Sequence, residues 1–261
     1  MQTIHLKPDD LDARNRDFVQ APLRQSVFLN SVPKSGSHLL RNIIRMFVPV
    51  EQQYQDDFIQ YASLKSHLAA FDGPPPKLSW GHLFFSDISA IATSQARKVL
   101  LVRDPYSWVI SKARFMMSNE FTGELDILKR APITPADLIN MVIFGIHRTN
   151  PSLADTYTHN AVAWLATDTH LVRYEDLVGA LQNIADETSV RYISDLLEAC
   201  GIDRPDDWRE RVAIGSDRER SGTAAENLTG KMAELPKELN ETQKRLVDYA
   251  APGLRGLLGY A

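Results

Sequence analysis

A lysine, a glycine and two serines stand together in the segment Lys34 to Ser37. A short apolar run, Val27 to Leu29, precedes it, and the apolar residues after it recur at helical spacing. The pattern predicts a strand, a tight loop and a helix over residues 27–47. Such a helix directs its free N–H groups and positive dipole end at the loop, where Lys34 adds a full charge. Because Gly36 also lets the backbone approach a ligand, the segment predicts a cradle for a phosphate or sulfate group.

The same segment has a plainer interpretation as a strand-to-helix connection, with Ser37 as the N-cap and Lys34 in solvent. The common nucleotide-binding loop G-x-x-x-x-G-K-[ST] is absent, because Lys34 precedes Gly36. The segment alone does not decide between these interpretations, so the rest of the chain must.

Two other predicted strands end in residues of related chemistry. Leu78 to Leu83 is typical of a short strand with His82 near its end, and Lys98 to Asp104 is the clearest strand of the chain. Its four consecutive apolar residues indicate burial on both faces, as in a parallel sheet. Ligands collect at the carboxyl ends of the strands in such sheets. We therefore expect Lys34, His82 and Arg103 at one sheet edge.

The remaining segments predict an α/β protein with a central parallel sheet flanked by helices, as a single domain over residues 1–261. Residues 169–174 form a further predicted strand, and residues 216–231 are typical of a mobile loop. Residues 1–25 predict a surface arm or a short helix. The other predicted helices are 51–71, 88–96, 106–117, 135–146, 157–167, 187–200, 205–213 and 239–251.

Composition and charge narrow the class of protein. The chain has 261 residues, 44% hydrophobic and 24% charged, with a net charge of −4, which gives bulk electrostatics no means of recruiting nucleic acid or an anionic membrane. The single cysteine, Cys200, excludes an intrachain disulfide, and its apolar surroundings predict a buried thiol. No signal-peptide pattern or membrane-spanning run occurs. We expect a cytoplasmic, soluble protein without stable membrane insertion, and its oligomeric state stays open.

The motif around Lys34 resembles that of the sulfotransferases that use 3′-phosphoadenosine 5′-phosphosulfate (PAPS). Their P-loop-type signature Y-P-K-S-G-T-T-W is similar to residues 32–39 here. The resemblance implies that Lys34 holds the 5′-phosphosulfate and stabilises the leaving oxygen. It implies that backbone and hydroxyl groups of the following residues donate hydrogen bonds to it, namely Ser35, Gly36, Ser37 and His38. His38 replaces a threonine of the family, and Leu39 replaces a tryptophan that packs on the adenine.

A second signature of the family, R-D-P-x-x-x-x-x-S, is similar to Arg103-Asp104-Pro105 followed by Ser111. The resemblance implies that Arg103 and Ser111 grip the 3′-phosphate. A guanidinium can fork onto two phosphate oxygens, and a serine on the following helix can reach a third. The alternative is an arginine that ends a strand and pairs with an acid.

Two later segments also resemble the family. Arg173 to Leu177 is similar to R-Y-E-D-L, which implies that Tyr174 lies near the nucleotide, although a core-packed tyrosine explains this stretch as well. Arg220-Ser221-Gly222 is similar to the R-K-G element that closes over the 3′-phosphate, which implies cofactor binding by Arg220 and Gly222. A solvated loop charge is the alternative for Arg220.

Residues 80–83 resemble the K-T-H-L-P stretch that carries the catalytic base of the family, which implies that His82 is the base. Its rivals are His38 and an acidic residue from 118–170. The implied reaction moves a sulfuryl group from PAPS to a hydroxyl, or less often an amine, of a small or amphipathic acceptor by in-line displacement. A sulfuryl group carries one negative charge, so a lysine and backbone amides suffice, and we expect no metal requirement.

Two other functions remain open at this point. A small nucleotide-dependent kinase would share the cradle, and residues 99–104 resemble an apolar strand that ends in a magnesium-binding aspartate. A non-catalytic module that binds PAPS or another anion would explain the departures at His38, Leu39 and Ser221. The acceptor pocket would draw on apolar side chains from a larger set: Phe84, Phe85, Phe115, Met116, Met117, Phe121, Phe144 and Trp164.

Overall fold

The computed structural model describes residues 3–4, 9–54, 58–123, 125–147, 149–220 and 235–260. The chain divides into two compact units, which we describe separately. The sheet unit comprises Asp9–Val102 and His159–Ser221, and the helical unit comprises Met1–Pro8, Arg103–Thr158 and Gly222–Ala261. The single domain expected over residues 1–261 stays a prediction.

The elements are numbered in chain order. The described strands are β1 (Thr3–Ile4), β2 (Val27–Ser31), β3 (Ile59–Gln60), β4 (Leu78–His82), β5 (Arg97–Val102), β6 (Phe121–Thr122) and β7 (His170–Arg173). The described helices are α1 (Leu11–Asn15), α2 (Ser37–Arg45), α3 (Asp87–Ala92), α4 (Pro105–Met117), α5 (Asp126–Arg130), α6 (Pro135–Phe144), α7 (Leu153–Asn160), α8 (Tyr174–Gln182), α9 (Glu187–Ala199), α10 (Trp208–Gly215), α11 (Glu241–Ala250) and α12 (Leu254–Leu257). None of these helices has the length and apolarity needed to cross a membrane.

The sheet unit contains a five-stranded, wholly parallel sheet in the order β3-β4-β2-β5-β7. Every residue of the central strand β2 is buried, as the apolar run at its start requires. Helix α2 packs on β2 and β4, α9 on β5 and α8 on β7. This arrangement confirms the predicted α/β class with a central parallel sheet flanked by helices. The carboxyl ends of β2 and β4 lie side by side.

In the helical unit, α4 packs against α5, α6 and α11. Its core includes the indole of Trp108, which meets the ring of Tyr157 edge-on at 5.4 Å between ring centroids. Strands β1 and β6 form a short antiparallel ladder in the same unit. Helix α4, predicted over residues 106–117, begins one residue earlier with Pro105 at its first position, where the missing N–H costs nothing.

The helix predicted over residues 51–71 is wrong. The chain there forms a 3₁₀-helix at Val50–Gln52, strand β3, and further 3₁₀ turns at Tyr61–Ser66 and Leu68–Ala70, and residues 55–57 lie outside the described ranges. Strand pairing overrides the helical spacing, because Gly81 lets β3 approach β4 closely. A Cβ atom at Gly81 would lie 2.1 Å from the carbonyl oxygen of Ile59.

The expected burial of Cys200 is confirmed, since its side chain is 1% exposed. Burial raises the pKa of the thiol to about 12, so it stays protonated and unreactive at neutral pH. Of the loop predicted over residues 216–231, the structure describes 216–220, which end in a 3₁₀ turn at Arg218–Arg220. The rest of that loop lies outside the described residues.

Candidate active site

The predicted anion cradle is the loop between β2 and α2, and the backbone conformation of this loop determines its geometry. Lys34 has a φ of 69° and Gly36 a φ of 98°, both in the left-handed region. Gly36 is the N-cap of α2 and has no side chain with which to cap the first turn, and Ser37 is the first helical residue. The N–H groups of that turn are therefore available to an anion. The alternative in which Ser37 is the N-cap is wrong.

Gly36 is required at its position for two reasons. Its left-handed φ disfavours any residue with a side chain, and a Cβ atom there would lie 2.5 Å from Cδ2 of Tyr174. The Tyr174 ring therefore packs directly against the cradle, while its other contacts join the core of the sheet unit. Tyr174 is therefore packed against the core, as one interpretation expects, and its ring also borders the cradle loop.

Ser35 places an unsatisfied hydroxyl in the cradle loop. Its side chain is fully buried, and its Oγ atom has no hydrogen-bond partner within the described ranges. A buried polar group without a partner costs about 1–3 kcal/mol. An anionic oxygen bound at the cradle would accept this hydrogen bond, so the loop fits a phosphosulfate group.

His82 is joined to the cradle through Ser31, the last residue of β2. The Nδ1 atom of His82 lies 3.0 Å from the Ser31 carbonyl oxygen and 3.1 Å from Ser31 Oγ. Ser31 Oγ in turn lies 2.7 Å from Oγ of Ser37 at the start of α2. A hydrogen-bonded chain thus connects the imidazole at the end of β4 with the first residue of the anion-binding helix.

This arrangement favours one tautomer of His82. A carbonyl oxygen can only accept a hydrogen bond, so the contact of Nδ1 with the Ser31 carbonyl favours a neutral ring with its proton on Nδ1, and the Ser31 hydroxyl can accept from the same proton. Nε2 is then the basic nitrogen. A histidine oriented in this way can accept a proton from a substrate hydroxyl that approaches Nε2.

His38, the rival base, lies in a different environment. Its ring meets Trp80 edge-on at 4.9 Å between centroids. Burial, followed by the charges of Lys34, Arg41 and His82, lowers the pKa of His38 to about 3. His38 therefore stays neutral near pH 7 and is a much weaker base than an ordinary histidine. This lowered pKa argues against His38 as the base.

Neighbouring side chains hold the end of β4 in place. The side chain of Asn30 donates to the Leu83 carbonyl at 3.1 Å and accepts from the Leu83 N–H at 2.9 Å, and Nε1 of Trp164 donates to the same carbonyl at 3.1 Å. Sequence reasoning missed Asn30 and Ser31. Their signal was present, because two polar residues directly follow the apolar run of a central strand, where ligands collect.

In the helical unit, Arg103 and Ser111 lie at the start of α4 and one to two turns into it. Arg103 Nε donates to Oγ of Ser107 at 2.9 Å, and the hydroxyl of Tyr157 donates to the Arg103 carbonyl at 2.7 Å. Ser107 and Ser111 are four residues apart and share a helix face. Ser107 was not predicted from the sequence, and it extends the candidate 3′-phosphate site by one hydroxyl.

The carboxylate of Asp104 anchors the start of α4. It accepts the Tyr106 N–H at 2.9 Å as the N-cap and pairs with Nε and Nη2 of Arg255 at 3.2 and 3.0 Å. The Arg255 guanidinium lies 4.2 Å from the Tyr106 ring centroid, and the Tyr106 hydroxyl donates to both carboxylate oxygens of Asp248 at 2.8–2.9 Å. We call Asp104, Tyr106, Asp248 and Arg255 the α4 clamp.

Two predicted site residues lie wholly or partly outside the described residues. Gly222 lies outside the described residues, and of Arg220 only the backbone, at the end of a 3₁₀ turn, is described. Among the described residues, no three His, Cys, Asp or Glu side chains stand close enough together to hold a metal ion.

Comparison with known proteins identifies the fold. Over 92% of this chain and 85% of the other, the structure is similar to the crystal structure of mouse sulfotransferase SULT7A1 complexed with PAP, with a TM-score of 0.54 and 15% sequence identity. No family model matches the sequence, and no curated protein matches it. The sulfotransferase-type α/β fold implied by the sequence motifs is therefore confirmed.

Proposed function

We propose that this protein is a PAPS-dependent sulfotransferase that acts on a hydroxyl, or less often an amine, of a small or amphipathic acceptor. The observation that carries the proposal is the hydrogen-bonded chain from His82 through Ser31 to Ser37, which joins a base to an anion cradle. The likeness in fold to mouse sulfotransferase SULT7A1, whose crystal structure contains PAP, supports the same conclusion.

In this function His82 Nε2 accepts the proton of the acceptor hydroxyl as its oxygen attacks the sulfur. The new O–S bond forms on one side of the sulfuryl group, while the bond to the 5′-phosphate oxygen breaks on the other. Lys34 and the first N–H groups of α2 meet the negative charge that develops on the departing oxygen. They therefore stabilise the transition state more than the ground state.

The cradle residues Ser35, Gly36, Ser37 and His38 would surround the phosphosulfate, with Ser35 Oγ finding its missing acceptor there. Arg103 and Ser111 would bind the 3′-phosphate, with Ser107 beside them. Tyr174 would lie at the nucleotide because its ring packs on Gly36. Arg220 and Gly222 keep their proposed role in covering the 3′-phosphate.

The α4 clamp favours sulfuryl transfer over the kinase alternative. A kinase would need Asp104 to bind magnesium, yet this carboxylate caps α4 and is paired with Arg255 through two hydrogen bonds. The oriented His82 favours an enzyme over a module that only binds an anion, since binding alone requires no base.

Aromatic side chains near His82 in the sheet unit support an apolar or amphipathic acceptor. The Phe58 and His82 ring centroids lie 5.3 Å apart, and Phe84 stacks on Tyr61 at 6.4 Å with both rings at least 40% exposed. The pocket was expected to draw on a subset of eight apolar residues, of which five are buried: Phe115, Met116, Met117, Phe121 and Trp164. Phe84 and Phe144 are exposed.

The first test measures thermal unfolding with adenosine 3′,5′-bisphosphate and, separately, with magnesium-ATP. A ligand at a hundredfold its Kd adds about 2.7 kcal/mol to the free energy of unfolding. Each kcal/mol raises Tm by about 2–4 °C in a chain of this size. We expect a rise of several degrees with the bisphosphate that is lost in Arg103→Ala. A rise with magnesium-ATP alone would favour the kinase.

The second test measures transfer of the sulfuryl group from PAPS to a panel of phenols and aliphatic alcohols without added metal. We expect His82→Gln to lower turnover by about 10²–10⁴-fold, as loss of a general base does, without changing bisphosphate binding. Exposed His170 at the edge of the same sheet gives the matched control, His170→Gln, which should keep full turnover. A His82→Gln enzyme with near-normal turnover would refute its role as the base.

A further inference from the structure

Arg41 is a half-buried cation one turn into α2, on the helix that begins at the cradle. Its guanidinium carbon lies 4.9 Å from the ring centroid of Trp80, on the strand that ends in His82. Within the described ranges, no carboxylate lies within ion-pair distance of Arg41. Helical side chains lean toward the N-terminus of their helix, which for Arg41 is the direction of the cradle.

The next arginine on this helix, Arg45, is an example of an arginine whose partners all lie within the protein. Arg45 lies four residues on and is paired with both Asp9 and Asp12, while its Nε donates to Gln53 at 3.2 Å. These contacts satisfy the Arg45 guanidinium within the protein. Arg41, on the same side of the helix, lies over an indole ring and forms no ion pair among the described residues, although the charges of Asp9 and Asp12 act on it from a distance.

The ring of Trp80 brings Arg41 near the cradle. The Arg41 guanidinium carbon and the His38 ring centroid each lie 4.9 Å from the Trp80 centroid, and the charges of Lys34, Arg41 and His82 all contribute to the lowered pKa of His38. Burial, followed by the charge of Arg45, lowers the pKa of the Arg41 guanidinium itself to about 10, which leaves it charged at neutral pH. A partly dehydrated cation of this kind gains from an anion that enters the site.

We propose that Arg41 is the second cation of the cradle and binds the sulfuryl group of the donor, with Trp80 holding its guanidinium in place. This inference rests on the proposed sulfotransferase function and adds a residue that the sequence motifs do not indicate. The phosphosulfate carries two negative charges, one on the phosphate and one on the sulfuryl group. Lys34 and Arg41 match these two charges.

The assignment of Arg41 to the sulfuryl group follows from the strand beneath it. Trp80 is two residues before His82 on β4, and their ring centroids are 6.5 Å apart. The base must face the acceptor, which approaches the sulfuryl end of the donor. A cation stacked on Trp80 is therefore on the sulfuryl side, whereas Lys34 lies at the turn itself.

The test compares two ligands that differ by the sulfuryl group, PAPS without acceptor and adenosine 3′,5′-bisphosphate, by calorimetric titration. We expect Arg41→Gln to weaken PAPS binding about 10–100-fold, since hydrogen bonds to charged groups contribute about 1.5–3 kcal/mol. Bisphosphate binding should change less than about threefold. Arg41→Lys keeps the charge and should restore part of the preference for PAPS.

The control Arg24→Gln removes a charge from the surface of the same unit, where the Arg24 side chain is 88% exposed, and should change neither affinity. Equal losses for both ligands in Arg41→Gln would overturn the inference, because a structural role or a phosphate contact affects both. Unchanged PAPS binding would overturn it as well. A wild-type protein that binds neither ligand would instead refute the proposed function.

Discussion

The cradle in the sheet unit and the α4 clamp in the helical unit hold their functional residues by different means. In the cradle the backbone determines the geometry, through two left-handed residues, a glycine pressed against Tyr174 and the open first turn of α2. In the clamp, side chains determine it, because Arg255 and Asp248 fix the turn that carries Arg103.

This difference determines how well each region can be predicted from the sequence. The cradle is built from a few consecutive residues, so its sequence motif is local and can be recognised despite the departures at His38 and Leu39. The clamp joins Asp104 to Arg255 across 151 positions, and no local pattern indicates that pairing. Substitutions should also affect the two regions differently. A site formed by the backbone tolerates few substitutions at its glycine, whereas a network of side chains loses its effect gradually as single contacts are removed.

The largest effect is expected from Gly36→Ala. The substitution puts a Cβ atom on a left-handed residue, which costs about 1–3 kcal/mol, and forces it against the Tyr174 ring. We expect bisphosphate binding to fall by at least about tenfold, because the cradle must distort to relieve the contact. The measurement is calorimetric titration of the folded variant with the bisphosphate.

Two further variants separate the causes of that loss. Gly256→Ala on α12 is the matched control, because a Cβ atom there meets nothing within 4 Å, and its binding should stay normal. Adding Tyr174→Ala to Gly36→Ala removes the collision but not the left-handed φ, so recovery should be incomplete. Full binding by the single Gly36→Ala variant would mean that the cradle does not depend on its backbone conformation.

The sheet was predictable because its strands carry continuous apolar runs. The observed β2, β4, β5 and β7 contain the predicted segments to within about two residues, apart from the two polar residues that extend β2 to Ser31. The segment 51–71 failed because its helical spacing is weaker than pairing at the sheet edge, which depends on Gly81 about 20 residues later. Local periodicity contains no information about that distant glycine.

The candidate site, like the fold, could be predicted from the sequence only in part. Lys34, Gly36 and His82 were predicted from residue types at strand ends, and the structure places them at neighbouring strand ends of one sheet. The tautomer of His82, the hydroxyl link through Ser31 and the cation–π contact of Arg41 depend on side-chain packing between separate elements. A sequence motif identifies the residue but contains no information about the orientation of its side chain.

A smaller effect is expected from Arg255→Met, which removes both hydrogen bonds to Asp104 while keeping an apolar stem over Tyr106. Asp104 would still cap α4, so the helix should form but hold Arg103 less firmly. We expect the affinity for the bisphosphate to fall about three- to tenfold, which corresponds to about 0.7–1.4 kcal/mol. The affinity for AMP, which lacks the 3′-phosphate, should stay the same.

Arg255→Lys restores a charge without the fork and should recover only part of the loss. Both measurements are titrations with the two nucleotides, accompanied by a thermal melt to confirm folding. An equal fall in AMP and bisphosphate affinity would show that the clamp acts on overall stability and has no particular effect on the 3′-phosphate site.

The last effect, on stability and not on ligand binding, distinguishes the two regions by pH. The folded-state pKa of His38, about 3, is below its ordinary value of 6.5. Between these two pH values the unfolded chain therefore binds a proton at His38 that the folded chain does not bind. The stabilising contribution is complete above pH 6.5 and is lost as the pH falls toward 3. The clamp differs, because its hydrogen bond to Asp104 raises the pKa of Arg255 and keeps that cation charged throughout.

We therefore expect the wild-type protein to lose stability relative to His38→Asn between pH 6.5 and pH 5, by up to about 1.4 kcal/mol per pH unit. His82 is present in both proteins, so the difference between them reports on His38 together with its interaction with His82. Urea unfolding at pH 7.5, 6 and 5 measures it, with Arg255→Met as a variant whose difference from wild type should not vary over this range. Parallel curves for wild type and His38→Asn would mean that the imidazole is hydrated, and that the cradle lacks the dehydrated, cationic surroundings which the binding of a phosphosulfate by Lys34 and Arg41 requires.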